Sequence, residues 1–290
     1  MRQDIRADGV LQQDWETIED FLTDMSRSGH PGNMMPTNSV TGSTAKWYGT
    51  QSYDDALHFA RDGWPDGLKR IELMRASLRK VPISAKAERL AGHFAEAGDE
   101  VEVGRYLEGE PEHMIEFMPQ FVPAAGRIVK LVCNVSASCG VSADSMFRRG
   151  AAAVLLADAI EQSGLRAEIL IVSAGDNSDG RRPGLDFRVP LKTADQPLEI
   201  DRVAFLMCSP SIFRRFMLRA MEQLTPQQFR EHAGQCHTLP KNASVAGDDV
   251  VLVDAMQWGF GNQLNTDADA VAFVNNILAE YLELEPQPAK

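Results

Sequence analysis

The chain has few of the features that announce a function. No apolar run approaches the roughly 18 residues that span a bilayer, and Met1-Arg2-Gln3-Asp4-Ile5-Arg6-Ala7-Asp8 has no apolar core of a secretory signal. A cytoplasmic protein with no membrane partner is expected. The four cysteines, Cys133, Cys139, Cys208 and Cys236, form no C-x-x-C pair, so buried free thiols are expected rather than a zinc site. Gly126, Gly140, Gly150, Gly175, Gly180 and Gly184 make neither a Walker loop nor a dinucleotide fingerprint. No Gly-x-Ser-x-Gly elbow is present. Of the six histidines only His232 and His237 lie close together, without a second ligand pair. With no nucleophile or acid–base pair standing out, the expectation is a protein without a cofactor that is not an enzyme. A net charge of −12 argues against coating nucleic acid with a uniformly basic surface.

What is present is a globular composition, 44% hydrophobic and 24% charged, and a chain that divides into three parts. Residues 1–45 hold an amphipathic helix over 14–25, with Trp15, Ile18, Phe21, Leu22 and Met25 on one face. A Gly/Ser/Pro/Asn-rich linker follows at 26–44. Residues 46–122 read as helical. One helix is capped by Ser52 and ended by Gly63, a second runs over 68–78 and a third over 84–97. Short strands follow at 100–107 and 113–117. Residues 123–290 read as a layered α/β domain. Its strands are expected at 128–135, 167–174, 187–191, 203–207 and 250–253, and its helices at 143–164, from Ser209-Pro210 to about 224, and from Thr266 through 284. The fold class is therefore α/β, a helical N-terminal region before a layered α/β domain.

Two constellations carry chemistry. The first is Asn134-x-Ser136-x-Ser138, just after a strand, where alternating oxygen-bearing side chains meet at the carboxyl edge of a sheet. The second is basic and aromatic. Trp47, Tyr48, Tyr53 and Trp64 flank the cations Arg61, Lys69, Arg70, Arg75, Arg79, Lys80, Lys86 and Arg89, against only Asp62, Asp66, Glu72 and Glu88. Arg214, Arg215 and Arg219 form a further basic strip. Cations that follow phosphates beside rings that stack bases are how proteins hold single strands. Trp47, Tyr48 and Trp64 would stack, and Lys69, Arg70, Arg75, Arg79 and Lys80 would track the backbone. The plainer alternative is core tryptophans and a solvated helix face.

The Asn134–Ser138 turn resembles the Asp-x-Ser-x-Ser metal-ion-dependent adhesion motif of von Willebrand factor A-like domains. That resemblance implies an interaction module, with a magnesium ion completed by a threonine and an aspartate from later loops; Thr193 and Asp254 (or Asp201) are the matching positions. Asn134 in place of the first acid removes a charge from a hard-cation site, so the metal site is degenerate. Residues 47–57, Gly63-Trp64-Pro65-Asp66-Gly67, residues 103–112 and residues 134–138 together resemble a protein family found mainly in tailed phages. Among phage proteins of this size and character, the chain is similar to the single-stranded-DNA-binding RNA polymerase cofactors of schitoviruses. That likeness implies single-stranded DNA and a phage RNA polymerase as partners, action in the host-cell cytoplasm, and a role in transcription. Homo-oligomerisation is left open.

Overall fold

A computed structural model describes residues 1–27, 39–78, 86–123, 127–175, 184–226, 229, 250–254 and 264–281. Within them the chain builds β1 (Arg2–Ile5), β2 (Leu11–Asp14), α1 (Ile18–Arg27), α2 (Gly42–Tyr48), α3 (Tyr53–Asp62) and α4 (Pro65–Arg75). There follow β3 (Lys86–Ala95), β4 (Glu100–Val101), α5 (Val103–Leu107) and β5 (Met114–Pro123). The remainder is β6 (Ile128–Asn134), α6 (Ala143–Gln162), β7 (Arg166–Gly175), β8 (Leu185–Lys192), α7 (Ile200–Cys208), a π-helix (Ile212–Met217), α8 (Leu218–Leu224), β9 (Val250–Val253) and α9 (Asp267–Tyr281). The α/β class holds. Among the described residues no helix is long and apolar enough to cross a membrane.

A six-stranded sheet in the order β1-β2-β8-β7-β6-β9 forms the centre. β6 runs parallel to β7 and β9, whereas β8 returns antiparallel to β7. Counted along 127–290, the strands lie third-second-first-fourth, the beginning of a doubly wound order except for the reversed third strand. The order turns back between β6 and β9, so the carboxyl ends of these two strands flank the switch point. Alternation along each strand sends Leu131, Cys133, Ile169, Ile171, Phe187 and Val189 into the main core, with α1, α6 and α7. Val132, Leu170, Val172 and Ala174 form a small second cluster.

The helix termini follow the sequence closely. Ser52 and Asp55 form a reciprocal capping box at α3, each backbone N–H donating to the other's side chain at 2.9 Å. Thr266 and Asp269 do the same at α9, and Ser142 caps α6. Gly150 is where α6 crosses α7: a Cβ there would lie 2.0 Å from the Met207 carbonyl oxygen.

Several sequence expectations are corrected. In place of the helix expected over 84–97, Lys86–Ala95 is a strand paired antiparallel with Met114–Pro123 over its full length, in a separate three-stranded sheet ordered β3-β5-β4. Its Ala, Glu, Leu and Arg favour helix locally, and strand pairing overrides that preference. Residues 100–107 split into the two-residue β4 and the helix α5. The apolar run 203–207 is helical, part of α7, and Val203–Cys208 is buried all round. A short continuous apolar run has no periodicity with which to separate strand from buried helix. The helix expected over 14–25 begins only at Ile18, and a polar hairpin precedes it: β2 pairs parallel with β8. The main core draws on residues from Leu11 to Leu278, and β1 and β2 are strands of the central sheet. Helices α2 to α4 pack on the same body. The linker positions 28–38 lie outside the described residues.

Candidate carboxyl-edge site

Three neighbouring strands bring short polar side chains to the switch point. β6 ends at Asn134, Asp254 directly follows β9, and Ser173 is near the end of β7. Asn134 Oδ1 accepts from the Ser136 N–H at 3.2 Å, an Asx-type turn that reverses the chain out of the strand. That bond fixes the amide orientation, and Nδ2 then donates to Asp254 Oδ1 at 3.1 Å across the crevice. The Ser136 and Ser173 hydroxyls lie 3.0 Å apart. From α6, the Arg149 guanidinium donates to the Val135 and Ser136 carbonyls, both at 3.1 Å. These two carbonyls leave the strand ladder at its end, and a buried arginine meets their need for donors. Asn134 and Ser136 are each 1% exposed. Ser138 is half-buried, and its backbone carbonyl accepts from the Val141 N–H at 2.9 Å.

The other positions implied by the adhesion motif divide. Asp254 is at the site. Thr193 is not: it follows Lys192, which is paired with Ile169 at the opposite end of β7 from Ser173. The antiparallel return of β8 is the cause. Asp201 sits in the first turn of α7 beside Glu199 and Arg202, which line a cleft with Lys192 and Thr193 at that same amino edge. Among the described residues the edge therefore gathers one carboxylate, with hydroxyls and an amide already bonded within the set. A hard divalent cation calls for more charge than that, and the set does not fit such an ion. Among the described residues no three His, Cys, Asp or Glu side chains converge as metal ligands. Burial pushes the Cys133 thiol up to about 12 and raises that of Cys208 as well, so neither is a ready nucleophile.

The basic–aromatic residues are placed differently from the open groove expected of them. Arg214, Arg215 and Arg219 are 0%, 1% and 6% exposed; the basic strip is internal. Each guanidinium lies over a ring of the 47–53 segment: Arg214 over Trp47 at 4.2 Å, Arg215 over Tyr48 at 4.7 Å and Arg219 over Tyr53 at 4.2 Å. Arg214 also donates to the Trp47 and Val141 carbonyls at 2.8 and 2.6 Å, and Arg215 to Thr50 at 2.8 Å. This ladder clamps residues 47–53 onto the π-helix and α8. Trp47 is half-buried, its Nε1 donating to the Cys139 carbonyl at 3.0 Å, and Tyr48 is buried. Trp64 packs edge-on against Phe147 and Phe205.

Arg70 bridges Asp144 and Asp267 at 3.0 and 3.1 Å and lies over Phe147. Arg75 pairs with Asp158 at 2.8 Å. Lys69 is exposed, with Asp66 at 3.8 Å. Arg79 and Lys80 lie outside the described residues. The structure thus joins Asn134, Ser136 and Asp254, adds Ser173 and Arg149, and ties the stacking residues into the core. An arginine inside an apolar run was the available signal for the missed anchors. Arg149 opens the Ala-rich stretch of α6, and Arg214-Arg215 stands between Phe213 and Phe216.

Residues 9–281 match the family model described as a domain of unknown function, DUF7192. The chain belongs to that family. No curated protein and no solved structure matches it. The DUF7192 match takes in the carboxyl-edge residues, the arginine ladder and the separate three-stranded sheet alike.

Proposed function

We propose that this DUF7192 protein is a non-enzymatic interaction module of the von Willebrand factor A-like kind, whose carboxyl-edge site is held by hydrogen bonds instead of a cation. The observation that carries this reading is the Asn134–Asp254 bond across the switch point. An amide N–H takes the position from which a second carboxylate would otherwise demand a metal. The strand order supports it too, because open α/β sheets bind their ligands where that order reverses. Single-stranded DNA binding by the basic–aromatic residues draws less support, since Arg70 and Arg75 are neutralised by aspartates and Arg214, Arg215 and Arg219 are interior. The resemblance of residues 47–57 and 103–112 to tailed-phage proteins supports a setting in the cytoplasm of an infected host.

Two measurements test the proposal. Thermal melting of the full chain in magnesium, manganese or a chelator is expected to give one and the same midpoint. A saturable rise with magnesium, lost in Ser136→Ala, would restore the metal-dependent reading. Titration with labelled oligo-dT at low salt is expected to give no saturable binding. Tight, steeply salt-dependent binding would return the protein to the DNA-binding class.

A further inference from the structure

The three-stranded sheet and its helix α5 make a distinct surface that the carboxyl edge does not use. Residues 86–123 carry Lys86, Arg89 and Arg105 against nine carboxylates, a net charge of −6 within a chain of −12. Of the twelve large hydrophobic side chains exposed among the described residues, seven come from this segment. None of its described side chains belongs to either core cluster. Its apolar exposure is organised. Arg105 turns inward over the Phe94 ring at 4.3 Å and donates to the Glu112 carbonyl at 2.9 Å, which seats α5 on the hairpin. Val103, Tyr106 and Leu107, at helical spacings of three and four, are 62%, 60% and 78% exposed. Around them stand Glu100, Glu108, Glu110 and Glu112, all exposed.

Contiguous apolar side chains held in water within a polar rim mark an interaction surface. We infer that the α5 knob, Val103, Tyr106 and Leu107 with its acidic rim, docks a cationic, partly apolar polypeptide segment of a partner protein. Charge decides between the occupants. A second copy would set −6 against −6, and nucleic acid or an anionic membrane would meet the same repulsion. A segment alternating Lys or Arg with Leu or Phe satisfies both the knob and the rim, with the apolar centre supplying affinity and the carboxylates steering approach.

The test uses the full chain and three labelled 12-residue peptides, one alternating Lys with Leu, one alternating Lys with Ser and one alternating Glu with Leu, read by fluorescence anisotropy across salt. The Lys/Leu peptide is expected to bind saturably, about tenfold or more tighter than either of the others. Val103→Ser/Tyr106→Ser/Leu107→Ser is expected to weaken it by about tenfold or more. Glu108→Lys/Glu112→Lys should weaken it and flatten its salt dependence. Because these side chains are exposed, the melting midpoint should remain that of the parent, which separates a lost surface from a lost fold. Equal binding of the Lys/Ser peptide, tighter binding of the Glu/Leu peptide, or no binding at all would overturn the inference. So would a dimer in sedimentation that Leu107→Ser disperses, since that would assign the knob to self-association. None of these outcomes bears on the metal-free carboxyl edge.

Discussion

Replacing Arg214 by methionine keeps the length and apolar stem of the side chain but removes its charge and its donors. In the folded chain that guanidinium is fully buried, lies 4.2 Å over Trp47 and donates to the carbonyls of Trp47 and Val141. Two carbonyls would be left without these donors, at about 1–2 kcal/mol each, and a desolvated ring stack worth about 2 kcal/mol would be lost. Relief from burying a guanidinium offsets part of this. The net expectation is a loss of about 3 kcal/mol, or a fall of about 5 °C in Tm for a chain of this size. Arg214→Lys should recover only a part, since a single ammonium on a shorter stem cannot serve both carbonyls and the ring. Urea unfolding followed by circular dichroism measures all three proteins. A loss below about 0.5 kcal/mol in the methionine variant, with weakened oligo-dT binding, would refute the reasoning and make Arg214 a phosphate contact after all.

Gly150→Ala should cost about 3 kcal/mol, because its Cβ would stand 2.0 Å from the backbone oxygen of Met207 and neither helix can yield cheaply; the melting midpoint reads this directly. The acid limb of stability should depend on Asp267 and Asp144. Hydrogen bonds from Arg148 to Asp267 and from Lys46 to Asp144, joined in both cases by Arg70, hold the carboxyls below their ordinary range. Carboxyls depressed in the folded state stabilise it above their unfolded pKa, and that contribution is lost as the pH falls below about 4. Asp267→Asn should therefore flatten the fall in Tm over that window. Asp186 acts in the opposite sense: burial raises its pKa despite Arg188 and Arg6, so its contribution declines as the pH rises through the raised value. Asp186→Asn should lift Tm at neutral pH more than at pH 3.5, and an equal change at both would contradict the assignment.

The second half of the chain was legible where pattern and length agreed. β6, β7, β9 and α6 lie within a residue or two of the segments read from 128–135, 167–174, 250–253 and 143–164, since long periodic helices and β-branched runs declare themselves locally. Caps at Ser52 and Thr266 were legible for the same reason. The misread elements are those decided by distant partners. β3 exists because β5 pairs with it across an intervening helix, and the Val203–Cys208 part of α7 is apolar on every side because α3, α4 and α6 pack around this helix. Of the site, Asn134 and Ser136 were legible from their spacing, whereas Asp254, with Asp201 as its alternative, came only from the resemblance to the adhesion motif. Thr193 could not be excluded without knowing that β8 runs backwards. The arginine strip misled because charge was taken as exposure, although Phe213 and Phe216 on either side of Arg214-Arg215 already marked an interior position.

The most direct test of a carboxyl edge held by hydrogen bonds is the melting of Asn134→Asp with and without magnesium, beside the unaltered protein. The substitution sets a second carboxylate against Asp254, where an amide N–H now donates at 3.1 Å. The unaltered chain is expected to ignore magnesium. The variant is expected to melt lower in chelator and to recover saturably as magnesium is added. A parent protein stabilised by magnesium, or a variant that melts like the parent in chelator, would contradict the account.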